Sequence, residues 1–227
     1  MNLVPSRLNE APGLPFRVFI FDFDGTLCNS FETSLRILDD LSQRHGFRRI
    51  PPDELEALRF QPLHRIIRGL GVPAYKLPWL VRDARLAMAA RLHELQPFDG
   101  LGDILCELGR RGARRWIVTS NSATNVRTFV QRNGLSIDQV FGGAGLFGKG
   151  LTLRRSMTRL GAGEKAIYIG DEMRDIEAAR AAGIPSGVVS WGFNTVESMM
   201  PLKPDFIFRA PADILELADR AVMGEEP

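Results

Sequence analysis

The sequence is poor in cysteine and has no long apolar run. Cys28 and Cys106 are the only cysteines among 227 residues, and their separation matches neither a metal-ligand spacing nor a disulfide framework. No stretch approaches the ~20 apolar residues that a transmembrane helix needs, and residues 1–16 lack the apolar segment typical of a secretion signal. We therefore expect a cytoplasmic protein that does not cross a membrane.

An excess of charge of either sign is also missing. Lysine and arginine number 29 against 27 acidic residues, which leaves a net charge of +2, too close to neutral to indicate a nucleic-acid partner. Basic residues suit helix C-termini, so we interpret one basic cluster as a solvated helix end: Arg110, Arg111, Arg114 and Arg115. The chain is long enough for one large α/β domain, or for a core with a smaller second domain.

The most informative stretch runs from Val18 to Leu27. Four apolar residues lead directly into Asp22 and Asp24, followed by Gly25. An uninterrupted apolar run predicts a buried central strand, and open α/β sheets bind ligands at the carboxyl ends of their strands. Two acids one residue apart point to the same side of a strand and repel unless a cation or ligand lies between them. The alternative is an ordinary turn, because Asp and Gly are common turn residues.

The remaining chain divides into two patterns. Residues 28–96 show helical spacing with no strand pattern, beginning at Ser30 as a predicted N-cap. After residue 96, strands alternate with helices, which predicts a parallel sheet covered on both faces. The predicted fold is therefore α/β: a Rossmann-like core of residues 1–27 and 97–227, with residues 28–96 inserted as an all-helical cap over the site.

Three further segments place polar residues near predicted strand ends. Thr119, Ser120 and Asn121 follow a second strand, Lys149 lies between two glycines before a helix, and a later strand precedes three acids, Asp171, Glu172 and Asp175. The carboxyl ends of parallel strands share one edge of a sheet, so these residues can converge on Asp22. Taken alone, Thr119–Asn121 is equally typical of a turn or helix cap, and a lone lysine of the surface.

The Asp-x-Asp-Gly-Thr-Leu motif at residues 22–27, followed in order by these three segments, resembles the haloacid-dehalogenase-like hydrolase superfamily. The similarity is greatest to its phosphoglycolate-phosphatase-like branch and covers residues 17 to about 210. The resemblance implies a Mg²⁺-dependent phosphatase that hydrolyses a small phosphorylated metabolite through an aspartyl-phosphate intermediate.

The resemblance also implies a role for each motif residue. Asp22 would be the nucleophile and Asp24 the general acid and base. Mg²⁺ would be held by the Asp22 carboxylate, the Asp24 backbone carbonyl and Asp171, with Glu172 or Asp175 in the outer shell. Thr119 and Lys149 would complete the catalytic set. The implied phosphate-binding residues are Gly25, Thr119, Ser120, Asn121 and Lys149.

Other functions stay open at this point. A phosphomutase would pass the same phosphoryl group to a sugar, and a non-catalytic protein could bind a phosphometabolite without a nucleophile. A metal-free dehalogenase would leave Asp24, Asp171 and Asp175 unexplained. Further candidates to face the substrate are Arg59, His64 and Arg65 of the cap and residues 191–194 after a strand. We expect a monomer or a homodimer.

Overall fold

A computed structural model describes residues 16–143, 145 and 148–220 of the chain. Within them, six parallel strands form one sheet in the order β3-β2-β1-β4-β5-β6. The strands are β1 (Val18–Phe21), β2 (Arg114–Val118), β3 (Gln139–Phe141), β4 (Ala166–Gly170), β5 (Ser186–Val189) and β6 (Phe206–Phe208). The predicted parallel sheet is confirmed, with the first strand of the chain near its centre.

Helices account for the segment between β1 and the rest of the sheet. After β1, four α-helices follow before residue 97: α1 (Phe31–His45), α2 (Leu55–Leu58), α3 (Leu63–Gly69) and α4 (Leu77–Ala90). Short 3₁₀ turns lie at Pro52–Glu54, Ala74–Lys76 and Leu92–Glu94. The inserted all-helical cap is thus confirmed as part of the fold. None of the described helices is long and apolar enough to cross a membrane.

The sheet is buried by helices on both faces. The later α-helices are α5 (Leu101–Arg110), α6 (Ala123–Arg132), α7 (Lys149–Met157), α8 (Met173–Ala182), α9 (Val196–Met199) and α10 (Ala212–Arg220). Phe19 and Phe21 of β1 share a core with residues of α5, α6 and α10, whereas Val18 and Ile20 share the other core with α7 and α8. Both sides of β1 are therefore apolar, which explains why its sequence does not alternate with polar residues.

Two local predictions from the sequence are wrong, and a third is confirmed only in its position. Arg114 and Arg115 open β2 and do not end a helix; Arg115 is buried and paired with Asp138, because a strand beginning there turns its side chain inward. Ser30 occupies the N-cap position of α1 as predicted, but its side chain makes no capping hydrogen bond. Lys149 is the first residue of α7 and does not precede it.

Some predictions fall outside the described residues. Within the predicted core of residues 1–27 and 97–227, the residues that lie outside are 1–15, 144, 146, 147 and 221–227.

Candidate active site

Adjacent strand ends bring the predicted site residues to one edge of the sheet. Phe21 at the end of β1 lies opposite Ile117 of β2 and Ile169 of β4. Asp22, Thr119 and Asp171, which follow these three strands closely, therefore meet at the carboxyl edge, as expected for a parallel sheet. The side chains of all three are buried.

A buried lysine links two of the carboxylates. Lys149 Nζ donates to Asp22 Oδ2 over 2.7 Å and to Asp175 Oδ1 over 2.6 Å, and all three side chains are at most 3% exposed. Burial lowers the pKa of Lys149, but the charges of Asp175 and Asp22 outweigh it and raise the pKa. The ammonium group therefore stays charged between two anions, while Asp22 Oδ1 is buried with no hydrogen-bond partner among the described residues.

Both carboxylate oxygens of Asp175 accept hydrogen bonds. Besides Lys149, Oδ1 accepts from the Tyr168 hydroxyl at 3.3 Å, and Oδ2 accepts the backbone N–H groups of Asp171 at 3.1 Å and Glu172 at 3.0 Å. Burial raises its pKa, but the charges of Lys149 and Arg174 outweigh burial and hold the pKa below the usual range. Asp175 thus favours the ionised form more than a solvated aspartate does, and its bonds to two backbone N–H groups fix the β4–α8 turn.

Asp171 is held by the loop that contains the first motif and by the loop after β5. Its Oδ1 accepts the Thr26 hydroxyl and its Oδ2 the Phe193 N–H, both at 2.8 Å. A Cβ on Gly25, whose φ is +77°, would lie 2.1 Å from Asp171 Oδ2, and one on Gly192 would lie 2.0 Å from Asp171 Cβ. The two glycines therefore admit this side chain because they have none.

The three aspartates can hold a metal ion. One oxygen from each of Asp22, Asp171 and Asp175 lies within 4.8 Å of the others. Burial raises the pKa of Asp22 to about 7 against the opposing charge of Lys149, and burial, reinforced by Glu172 and Asp175, raises the pKa of Asp171 well above its usual range. Hard oxygen donors with an unpartnered buried oxygen among them suit Mg²⁺, whose charge would favour the ionised form of these buried carboxylates.

Asp24 stands apart from that cluster. Its Oδ2 accepts from Asn121 Nδ2 at 2.9 Å, while its Oδ1 is buried without a hydrogen-bond partner in the described part of the chain. Burial raises its pKa, against the lowering effect of the Asn121 and Ser30 hydrogen bonds. Asp24 thus favours the protonated form more than a solvated aspartate does.

The segment after β2 forms a tight turn at the start of α6. Thr119 Oγ1 accepts the Asn121 N–H at 3.0 Å, so its own proton is left for another acceptor. Asn121 Oδ1 accepts the Ser122 N–H at 2.7 Å. Thr119–Asn121 can therefore form a turn and also serve a binding site, because the turn orients their side chains at the edge of the sheet.

Two arginines that were not singled out from the sequence contact Ser120. Arg174 Nη1 donates to Ser120 Oγ at 3.3 Å and its Nη2 to Glu172 Oε1 at 2.6 Å. Arg85 of α4 reaches across from the cap and donates to the Ser120 carbonyl at 2.6 Å. Arg174 could have been noticed by its position inside the Gly170–Asp175 segment, whereas no sequence signal marks Arg85.

A cavity of about 240 Å³ lies beside Lys149, between the core and the cap. Its lining includes Glu172, Arg174 and Asn194 of the core and Pro62–His64 of the cap. Of the cap candidates, His64 lines this cavity, Arg59 is bonded to the loop after β5, and Arg65 is exposed. The predicted 191–194 segment contributes Asn194.

Similar proteins are consistent with this arrangement. The family profile described as haloacid dehalogenase-like hydrolase matches residues 19–189. A phosphoglycolate phosphatase of Synechococcus elongatus is 33% identical over 203 residues, covering 88% of this chain and 96% of the relative. The tyrosine-protein kinase PtkA of Mycobacterium tuberculosis is 28% identical over 204 residues, covering 84% and 68%. A haloacid dehalogenase-like family hydrolase of Streptococcus pneumoniae superposes with a TM-score of 0.73 at 22% identity, covering 88% of this chain and 97% of that one.

Proposed function

Because this chain belongs to the haloacid dehalogenase-like hydrolase family, we propose that it hydrolyses a small phosphorylated metabolite with Mg²⁺ through an aspartyl-phosphate on Asp22. The chain is a phosphoric monoester hydrolase similar to phosphoglycolate phosphatases. One observation carries the proposed mechanism: Asp22 is buried, bonded through one oxygen to Lys149 and unpartnered at the other.

Asp22, Asp171 and the Asp24 carbonyl would hold Mg²⁺, with Asp175 in the outer shell. When bound, the ion supplies positive charge that lets an anionic nucleophile meet an anionic phosphate. The proposed outer-shell role of Asp175 fits its occupied oxygens. Glu172, the other outer-shell candidate, is turned to Arg174.

The chemistry divides into two displacements at phosphorus. An Asp22 oxygen forms a bond to phosphorus while the ester P–O bond breaks, and Asp24 gives its proton to the leaving oxygen. Asp24, now a carboxylate, takes a proton from water as that water attacks phosphorus, which releases orthophosphate and restores Asp22. The raised pKa of Asp24 suits it to begin the cycle protonated.

Three residues would hold the transferring phosphoryl group, and two more would support it. The Thr119 hydroxyl and the Ser120 N–H would donate to its oxygens, and Lys149 would offset its charge. Asn121 would act through Asp24, which it already contacts. Gly25 would act by leaving space, because its own N–H donates to the Cys28 carbonyl at 2.9 Å.

The proposal is tested by phosphate release from a panel of phosphometabolites, with Mg²⁺ and with EDTA. Phosphoglycolate comes first, because a relative 33% identical is a phosphoglycolate phosphatase. We expect metal-dependent release that Asp22→Asn abolishes while the fold persists. Release by that variant at the wild-type rate would contradict the proposal. Failure of every compound to release phosphate would favour the alternatives, a phosphomutase or a phosphometabolite binder.

We also propose that residues 28–96 form a cap domain on the core of residues 1–27 and 97–227. The protein is proposed to be cytoplasmic and either a monomer or a homodimer. Two backbone contacts support the division: Asn29 N–H donates to the Gln96 carbonyl at 2.9 Å, and Cys28 pairs with Pro97 in an isolated bridge. The two chain segments that connect the cap to the core, at residues 28–29 and 96–97, therefore lie side by side.

A further inference from the structure

The loop at residues 191–194, between β5 and α9, lies against Asp171. Phe193 N–H donates to Asp171 Oδ2 at 2.8 Å, and Asn194 N–H donates to the Asp171 carbonyl at 3.1 Å. Gly192 packs so closely that a Cβ there would collide with Asp171 Cβ. The position of the loop and the position of the Asp171 carboxylate are therefore tied together.

The same loop is bonded to the cap on its other side. Arg59, between α2 and α3, donates from Nε to the Phe193 carbonyl at 3.0 Å and from Nη2 to the Gly192 carbonyl at 3.3 Å. In return, Asn194 Nδ2 donates to the Arg59 carbonyl at 2.8 Å and the Gln61 carbonyl at 3.3 Å. Residues 59–61 and 191–194 thus form a reciprocal contact between cap and core.

The Asn194 side chain joins the two sides. It is 1% exposed, and its Oδ1 accepts the N–H of Met173, the first residue of α8, at 2.9 Å. The Oδ1 acceptor of Asn194 therefore faces the core at Met173, which is two positions after Asp171 in the chain. The Nδ2 donor faces the cap. A primary amide supplies both functions in one group, so its donor and its acceptor are satisfied together by protein groups only while the cap and the core are in contact.

We propose that Asn194 is a positioning residue that couples docking of the cap to the placement of Asp171. When the cap leaves, the loop loses the Arg59 guanidinium and Asn194 loses both carbonyl acceptors. Phe193, whose N–H orients Asp171 Oδ2, is then held less firmly. The metal site is consequently complete only with the cap docked. The coupling itself rests on these contacts, and its consequence for turnover rests on the proposed function.

Asn194→Asp tests the coupling with little change in shape. The carboxylate can still accept the Met173 N–H, but it turns an acceptor toward two carbonyl oxygens. We expect amide hydrogen exchange in residues 57–62 to accelerate about tenfold, as for the loss of one or two hydrogen bonds. Calorimetry should show Mg²⁺ binding weakened by a similar factor. Asn133→Asp, which changes the amide of the residue after α6, bonded to the Phe129 carbonyl at 3.0 Å, is the matched control and should change neither.

Arg59→Met removes the guanidinium bonds to the Phe193 and Gly192 carbonyls from the cap side, while the backbone carbonyl that accepts from Asn194 stays in place. It should reproduce both effects, and combining it with Asn194→Asp should add little, since the two act on one contact. Faster exchange in the cap with unchanged Mg²⁺ affinity would overturn the coupling, and so would no change in exchange. Neither readout needs hydrolysis. A protein that binds Mg²⁺ in this coupled manner but releases no phosphate would refute the proposed function alone.

Discussion

Lys149 neutralises two carboxylates that are buried on either side of it. Asp22 and Asp175 each bond to Nζ, and neither side chain is more than 2% exposed. Two anions so close together and out of water repel strongly without that charge. The lysine therefore has a structural role in addition to the proposed catalytic one.

Lys149→Met should reduce both stability and turnover. Removal of one partner from a buried ion pair lowers the free energy of unfolding by about 3–5 kcal/mol, which urea denaturation in EDTA will measure. The exposed Lys165 provides the control, and Lys165→Met should change the same free energy by less than about 0.5 kcal/mol. Equal stability of the two variants would show that Asp22 and Asp175 do not depend on this charge.

The proposed role of Asp24 as general acid depends on the leaving group. An alkyl alkoxide needs a proton to depart, whereas an aryl phenolate departs readily without one. Asp24→Asn should therefore lower kcat for an alkyl phosphate by about 10²–10⁴-fold and the rate of phenolate departure from an aryl phosphate much less. Steady-state and rapid-mixing kinetics on both esters measure the contrast. Wild-type turnover of the alkyl ester would contradict the acid role.

Among the elements, the turn after β1 depends on Gly25. A left-handed backbone conformation costs a residue with a Cβ roughly 1–2 kcal/mol wherever it occurs, but at Gly25 the added Cβ would also displace Asp171. Gly46, the C-cap of α1, has a φ of +68° and open space around it. A substitution at Gly46 therefore measures the cost of the left-handed backbone conformation alone.

Gly25→Ala should thus weaken Mg²⁺ binding and activity, whereas Gly46→Ala should lower only the thermal midpoint. Calorimetric titration of Mg²⁺ into both variants, beside their melting curves, separates the two effects. If the two variants bound Mg²⁺ equally well, the close approach of Asp171 to Gly25 would not be needed for metal binding.

Some positions of the elements could be predicted from the sequence, and others could not. The end of β1 could be predicted because an apolar run stops at Asp22, and convergence with Asp171 follows from parallel pairing alone. Arg115 was misplaced because a basic residue in a strand is recognised only through its partner Asp138, 23 residues away. The contact of Arg59 with Phe193 spans 134 positions, and no periodicity marks such a pair.

At the scale of the whole molecule, the buried acids make stability depend on pH and metal together. Burial raises the pKa of Asp22 to about 7 and that of Asp171 well above its usual range. In the metal-free protein both groups take up protons on folding, so the stability they contribute is complete at acid pH and is lost as pH rises through their folded pKa values. Asp175 has a lowered pKa, so its contribution is lost only at lower pH.

Mg²⁺ bound among these carboxylates, as proposed, would replace those protons, so its stabilising effect should grow with pH. Melting curves with saturating Mg²⁺ and with EDTA should differ more at about pH 8 than at about pH 6. Asp171→Asn removes one ligand and should shrink the difference at the higher pH. A metal effect that is equal at both pH values would indicate that Mg²⁺ does not bind among these carboxylates.

The central claim, that Asp22 becomes phosphorylated, is tested most directly by trapping the intermediate. Asp24→Asn should form the phosphoenzyme from an aryl phosphate and hydrolyse it slowly, because the base that activates water is missing. Acid quenching within one turnover, followed by peptide mass mapping, should find one phosphoryl group on Asp22. Release of the phenol with no phosphoryl group on Asp22, or with the group on another residue, would contradict the account.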